Sequence, residues 1–395
     1  MTIEPGVDPI DDTEEGEYLS LFEPDVTEAE VAVVSRVLTT ARLDDGHITA
    51  SFEKAFAAYV GREHAVAVSH GTLAMLLTLK AYGIGADDEV IASPYGWHQA
   101  VHAVALAGAV PVFSDIDYWQ HTLNPAKAAQ KVTDKTRAII GSNTNGHPAD
   151  WAALRALASE KNLILIEDST EAVGSTFQGK PVGSFGDAAV FDFSEPGALI
   201  AGGGAMIVTD DRHLAHELRY LRHREHEHRY TVVITRTLPW QAGLSNLNAA
   251  LGQVQLRRLP EILDRREEVV QFYEQAMASF EGIKPPYRGV GATRVCPMAY
   301  VAHLGTRFDH SHRKSVLEDL MTHAIESCDY GQPLVHQQYY AERGWGRAKC
   351  PIVDKTTDRA VMLPFHHKLT QEQVRFIVDT FKDATVNIGA GAAIY

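Results

Sequence analysis

In VTEAEVAVVSRVLTT, behind Thr27, and in ITASFEKAFAAYVG, ending at Gly61, apolar residues recur at every third or fourth position. That spacing predicts two amphipathic helices, the first capped by the threonine and the second stopped by the glycine. The pattern then changes. HAVAV is a short continuous apolar run, TLAMLLTLKAYG returns to helical spacing, and DEVIASPYG, VPVFSDID, TRAIIGSNTNG, NLILIEDS, AAVFDF and AMIVTDD follow as apolar runs ending in polar residues. Helices such as WAALRALASEK separate several of them. Strands alternating with helices predict an α/β fold whose mostly parallel sheet is covered on both faces. From about residue 251, the long amphipathic stretch ALGQVQLRRLPEILDRREEVVQFYEQAMASF leads into a smaller α/β segment ending near Lys382. The expected organisation is a loose acidic leader over 1–20, a large α/β domain over 21–250 carrying the site, and a small C-terminal domain over 251–395.

Ligands of such sheets sit beyond the carboxyl ends of the strands. Here those ends are Ser69–Gly71, Ser93–His98, Asn143–His147, Asp168–Glu171 and Asp192–Gly197. Gly71 and Thr72 open a helix, where free backbone N–H groups and the helix dipole favour an anion such as phosphate. Asp168, Glu171, Asp192 and Glu195 gather acid at one rim, with His98, His102 and His147 on adjacent strand ends. Close carboxylates push their pKa values apart, which yields one proton donor and one acceptor near neutral pH. Such a rim suits a cationic or hydroxyl-rich small molecule. A divalent metal ranks behind it, because no tight motif such as H-x-x-x-H is present. His223, His226 and His228 in LRHREHEHRYT stand among Arg and Glu residues and read as a solvated helix end or subunit contact.

The 395 residues suffice for two domains with substantial cores. A formal net charge of −15 argues against nucleic-acid and anionic-membrane partners. Cys296, Cys328 and Cys350 are too few and too scattered for a disulfide framework or zinc knuckle. The acidic N-terminus lacks the apolar core of a secretion signal, and no apolar run approaches membrane-spanning length. A soluble cytoplasmic protein is expected.

From about residue 20 to 385, the order and spacing of these segments resemble the DegT/DnrJ/StrS family of sugar aminotransferases, with the fold-type-I pyridoxal phosphate (PLP) architecture. SHGTLAM resembles its phosphate turn, GHPADWAAL its Gly-x-Pro-Ala-Asp stretch, and IEDSTEAVGSTFQGKPVGSFGDAAVFDF its longest motif. AALGQVQLRRL and LPFHHKLTQEQV resemble later landmarks, and the resemblance makes His366 and His367 structural. It also implies that Trp97 stacks on the pyridine ring and that Asp168 pairs with its nitrogen.

The departures from that pattern matter more. Gly197 stands where the resemblance places the Schiff-base lysine, so no covalent PLP is expected. Asp192 stands where a serine donates to the phosphate. A carboxylate has no proton to give at neutral pH and would cost about 4 kcal/mol per unit of phosphate charge at about 4 Å. Gln241 and Gly243 replace an asparagine and an arginine that the neighbouring subunit contributes, and Glu171 replaces a glutamine or histidine beside the ring hydroxyl. The catalytic candidates are therefore Asp168, Glu171, Asp192 and His98. The ligand- or cofactor-binding candidates are Gly71, Thr72, Trp97, Asn143, Gly197 and Gln241.

Three readings are open. The first is an enzyme of natural-product or sugar biosynthesis that applies acid–base chemistry, not transamination, to a small amino- or hydroxyl-bearing intermediate. The second is a sugar-modifying enzyme that holds PLP or pyridoxamine phosphate (PMP) non-covalently, with His98 or Glu171 as base. The third is a non-catalytic partner subunit of an active paralogue. LPWQAGLSN resembles the segment that crosses between subunits, which implies a homodimer, or a heterodimer with a paralogue.

Overall fold

The computed structural model describes residues 18–40, 42–44, 46–223, 238–278, 280, 283–284 and 291–393. Helix α1 (Glu28–Leu38) starts at a capping box, in which Thr27 and Glu30 satisfy each other's backbone N–H groups. Helix α2 (His47–Val60) stops at Gly61, whose φ of 79° favours a residue without Cβ. Strands and helices then alternate: β1 (His64–Val68), α3 (Gly71–Ala81), β2 (Glu89–Ala92), α4 (Gln99–Leu106), β3 (Val110–Phe113), α5 (Pro125–Ala129), β4 (Thr136–Ser142), α6 (Trp151–Lys161) and β5 (Ile164–Asp168). A short hairpin of β6 (Thr176–Phe177) and β7 (Lys180–Pro181) precedes β8 (Ala188–Asp192), β9 (Ala205–Thr209) and α7 (Arg212–Arg222).

The main sheet runs β1-β9-β8-β5-β4-β2-β3, with only β9 antiparallel to its neighbours. The carboxyl ends of β1, β2, β4, β5 and β8 therefore open on one edge. The buried runs that predicted these strands pack on both faces, with Phe52, Phe56, Phe191 and Phe193 on one side and Leu76, Leu77, Val101 and Val104 on the other.

Helix α8 (Asn246–Met277) leaves the large domain and enters the small one. After it come β10 (Ile283–Lys284), β11 (Ala292–Arg294), β12 (Tyr300–Leu304), α9 (His310–Thr322), β13 (Cys328–Asp329), α10 (Gln338–Glu342), α11 (Pro351–Thr357), β14 (Ala360–Leu363) and α12 (Gln371–Ala393). The antiparallel sheet β10-β12-β14-β13 buries Tyr300 against Tyr273 of α8, their rings stacked at 3.9 Å.

Two features differ from the sequence expectation. The stretch after residue 250 is a single helix that continues through Pro260, so the 250/251 boundary falls inside it. Leu19, within the expected leader, is tied down: it donates to Ala324 and accepts from Glu326, in parallel with the small domain. His226 and His228 lie outside the described residues. Among the described residues, no helix is long and apolar enough to cross a membrane.

Candidate active site

His70, the residue before α3, offers no side-chain cap. The cap comes from 121 positions away. Asp192, at the end of β8, accepts the Gly71 N–H on Oδ2 at 2.8 Å and the Ser194 N–H on Oδ1 at 2.7 Å. The approach is so close that a Cβ at position 71 would lie 2.2 Å from Oδ2, so only glycine fits there. Thr72 follows, half-buried, on the same helix turn.

At the end of β5, neighbouring acids divide into a structural and a chemical set. Glu167 is fully buried and accepts the Asn143 amide at 2.9 Å, the Ser169 hydroxyl at 2.9 Å and the N–H groups of Gly183, Phe185 and Gly186. Asn143 also donates to Ser169, and its oxygen accepts from Ala149 N and from the Trp151 indole. All its capacity is used inside the fold. Asn143 is thus a core staple, and its expected ligand-binding role is corrected.

Asp168 accepts from Ser142 Oγ at 3.1 Å and from Thr170 Oγ1 at 2.6 Å. Burial raises its pKa against these bonds, and the charge of Asp192 pushes the same way. Glu171 is buried too. Its Oε2 accepts the Tyr330 hydroxyl at 2.6 Å and the Asn145 N–H at 2.6 Å, while Oε1 has no partner among the described residues. Burial lifts its pKa to about 7, the two hydrogen bonds oppose the lift, and Asp168 adds to it.

Glu171 lines a cavity of about 450 Å³ between the domains, together with Trp97, His98, Pro196, Tyr330 and Gln332. The buried Trp97 Nε1 and Gln99 Oε1 are also without partners among the described residues. His98 does not act as the free base expected of it. Its Nε2 meets the Gln332 carbonyl at 2.9 Å and its Nδ1 the Gln337 amide at 3.3 Å, which fixes the proton on Nε2 and straps α4 to the small domain. Burial, first of all, lowers its pKa.

His147 parts from His98 and His102 and joins His121 and His303 around a separate small cleft. Gly197 lies beside the cavity wall on the β8–β9 connection. Its φ is ordinary, and a Cβ there would meet nothing nearer than the Ser194 carbonyl at 3.4 Å. Glu195 is exposed, and so is Gln241. The Gln241 segment lies along the end of β1 through a Val68–Gly243 bridge.

A profile of the DegT/DnrJ/EryC1/StrS aminotransferase family matches residues 24–382. The chain belongs to that family. The spore coat polysaccharide biosynthesis protein SpsC of Bacillus subtilis is 30% identical over 379 residues, 93% of this chain and 97% of that protein. A GDP-perosamine synthase of Caulobacter vibrioides is 34% identical over 336 residues, 84% of this chain and 89% of that protein. Among solved structures, Spr1654 of Streptococcus pneumoniae in its PMP form superposes with a TM-score of 0.89. At 24% identity, covering 95% of this chain and 99% of that one, this neighbour speaks for the fold alone. The fold class is thus that of the family, whose solved neighbours include PLP and PMP forms.

Sequence reading missed Tyr330, Asn145 and Gln332. The signal for Tyr330 is faint, a tyrosine in CDYGQP before Gly331, whose φ of 70° turns the chain against Tyr95.

Proposed function

We propose that this family member acts on a small polar, amino- or hydroxyl-bearing intermediate of sugar or natural-product biosynthesis by acid–base chemistry, without a Schiff base. The observation that carries the reading is Glu171: a cavity-lining carboxyl with a pKa of about 7, one oxygen held by Tyr330 and the other buried and unpartnered. Near neutral pH such a group can give or take a proton. A ligand hydroxyl or amine for which the wall opens would give Oε1 the partner it lacks, while the Tyr330 bond fixes the plane of the carboxyl. Asp168 behind it keeps its proton more readily than a solvated aspartate, and its charge favours the protonated form of Glu171. The relatives in polysaccharide and perosamine biosynthesis support a sugar-type substrate.

The pyridine end of a PLP-type cofactor would fit, with Trp97 on the cavity wall and Asp168 at the strand end, where the family resemblance places its ring partners. This favours non-covalent PMP as the second reading. The reactive end does not fit, because Gly197 brings no amine and its backbone gives no reason for glycine. The experiment is borohydride reduction of the protein purified with added PLP, followed by peptide mass spectrometry. No pyridoxyl-lysine is expected. The doubly restored Gly197→Lys/Asp192→Ser variant, whose new lysine the backbone accommodates, is the positive control. A reduced pyridoxyl-lysine in the unaltered protein would overturn the reading.

A further inference from the structure

We propose that Asp192 is a built-in substitute for a ligand phosphate, so that the rim of strand ends takes molecules carrying no phosphate at the N-terminus of α3. The N-terminus of α3 presents a free backbone N–H and the positive end of a helix dipole, which together attract an anion. In this protein the anion belongs to the chain. Asp192 Oδ2 accepts the Gly71 N–H at 2.8 Å, and Oδ1 is held in place by the Ser194 N–H at 2.7 Å.

A second observation shows that the position is built and not incidental. The carboxyl occupies the space where any side chain at 71 would go, with its Oδ2, Cβ and Cγ all within 2.9 Å of an added Cβ. His70, the local candidate for a cap, makes no capping bond. An incoming phosphate would have to displace Asp192 from the Gly71 amide and then stay near its charge, with Asp168 already close enough for the two carboxylates to act on each other. Both effects oppose binding.

The inference deepens the proposed function and rests on it for the ligand class, since a phosphate-free amine or polyol is what an acid–base site without PLP would hold. The test reads binding and not turnover. Inorganic phosphate, pyridoxamine 5′-phosphate and phosphate-free pyridoxamine are titrated by calorimetry into the unaltered protein, Asp192→Ser and Asp192→Asn. Serine keeps a capping oxygen, and asparagine keeps the shape while removing the charge.

Asp192→Ser is expected to tighten pyridoxamine 5′-phosphate by at least about 100-fold, and Asp192→Asn by at least about tenfold, with pyridoxamine changed less than about threefold. If serine prevents folding, the asparagine variant decides alone. Equal affinity of the unaltered protein and the variants for pyridoxamine 5′-phosphate would overturn the inference, as would an equal gain for pyridoxamine. Glu171 is untouched throughout, so this result stands or falls separately from the acid–base reading.

Discussion

At the residue scale, Glu171 makes the sharpest claim. Its pKa rises from 4.5 in the unfolded chain to about 7 in the folded protein, so the folded state holds this proton the more tightly. The resulting stabilisation is complete below about pH 4.5 and is lost as the pH climbs through about 7. Above that, ionised Glu171 destabilises the fold by something of the order of 3 kcal/mol. Glu171→Gln keeps the shape and removes the titration. Urea unfolding at pH 5 and pH 8 should show the variant gaining on the unaltered protein between the two values. Parallel pH dependence in both proteins would mean that Glu171 is solvated and unperturbed. The position itself was legible as one acid at a strand end. Its proton affinity was not, because that depends on burial and on a tyrosine 159 positions away.

At the scale of elements, the strand ends and helix caps could be read directly, since continuous apolar runs, Thr27 and Gly61 act locally. What the elements bring together could not. Asn143 looked like a rim residue but turns inward to Glu167, Ser169 and Trp151. His98 looked like a base, and its ring is spent on Gln332 and Gln337. Both Tyr330, just past β13, and His98, just before α4, join the small domain to the large one across the cavity. The Tyr330 hydroxyl donates to Glu171, and this bond lowers the carboxyl's pKa. Tyr330→Phe should therefore raise the Glu171 pKa above about 7 while leaving the ring's packing against Tyr95 intact. Carbon-detected NMR of labelled glutamate would follow the titration. An unmoved pKa would sever Tyr330 from the acid–base group.

At the scale of the whole molecule, the matter is what covers the 238–241 segment. Its backbone is anchored, with Trp240 N donating to Leu221 O and Ala242 N to Arg222 O, so it is held in place against α7. Yet Leu238 is 82% exposed and Trp240 43% exposed, on a surface with a formal net charge of −15. Fixing large apolar side chains toward water is unfavourable by about 25 cal/mol per Å² relative to burying them, and an anchored display of this kind fits a subunit interface. The family resemblance assigns LPWQAGLSN to the crossing between subunits, and Gln241, exposed here, would then face a second copy. We propose a homodimer on these grounds. Static light scattering at micromolar concentration should give twice the 43.4 kDa chain mass. The double variant Leu238→Asp/Trp240→Asp should shift that mass toward the monomer while leaving the unfolding midpoint of the protomer within a few degrees, because neither side chain contributes to its core. A monomer mass for the unaltered protein would leave both residues without a partner and remove Gln241 from any site.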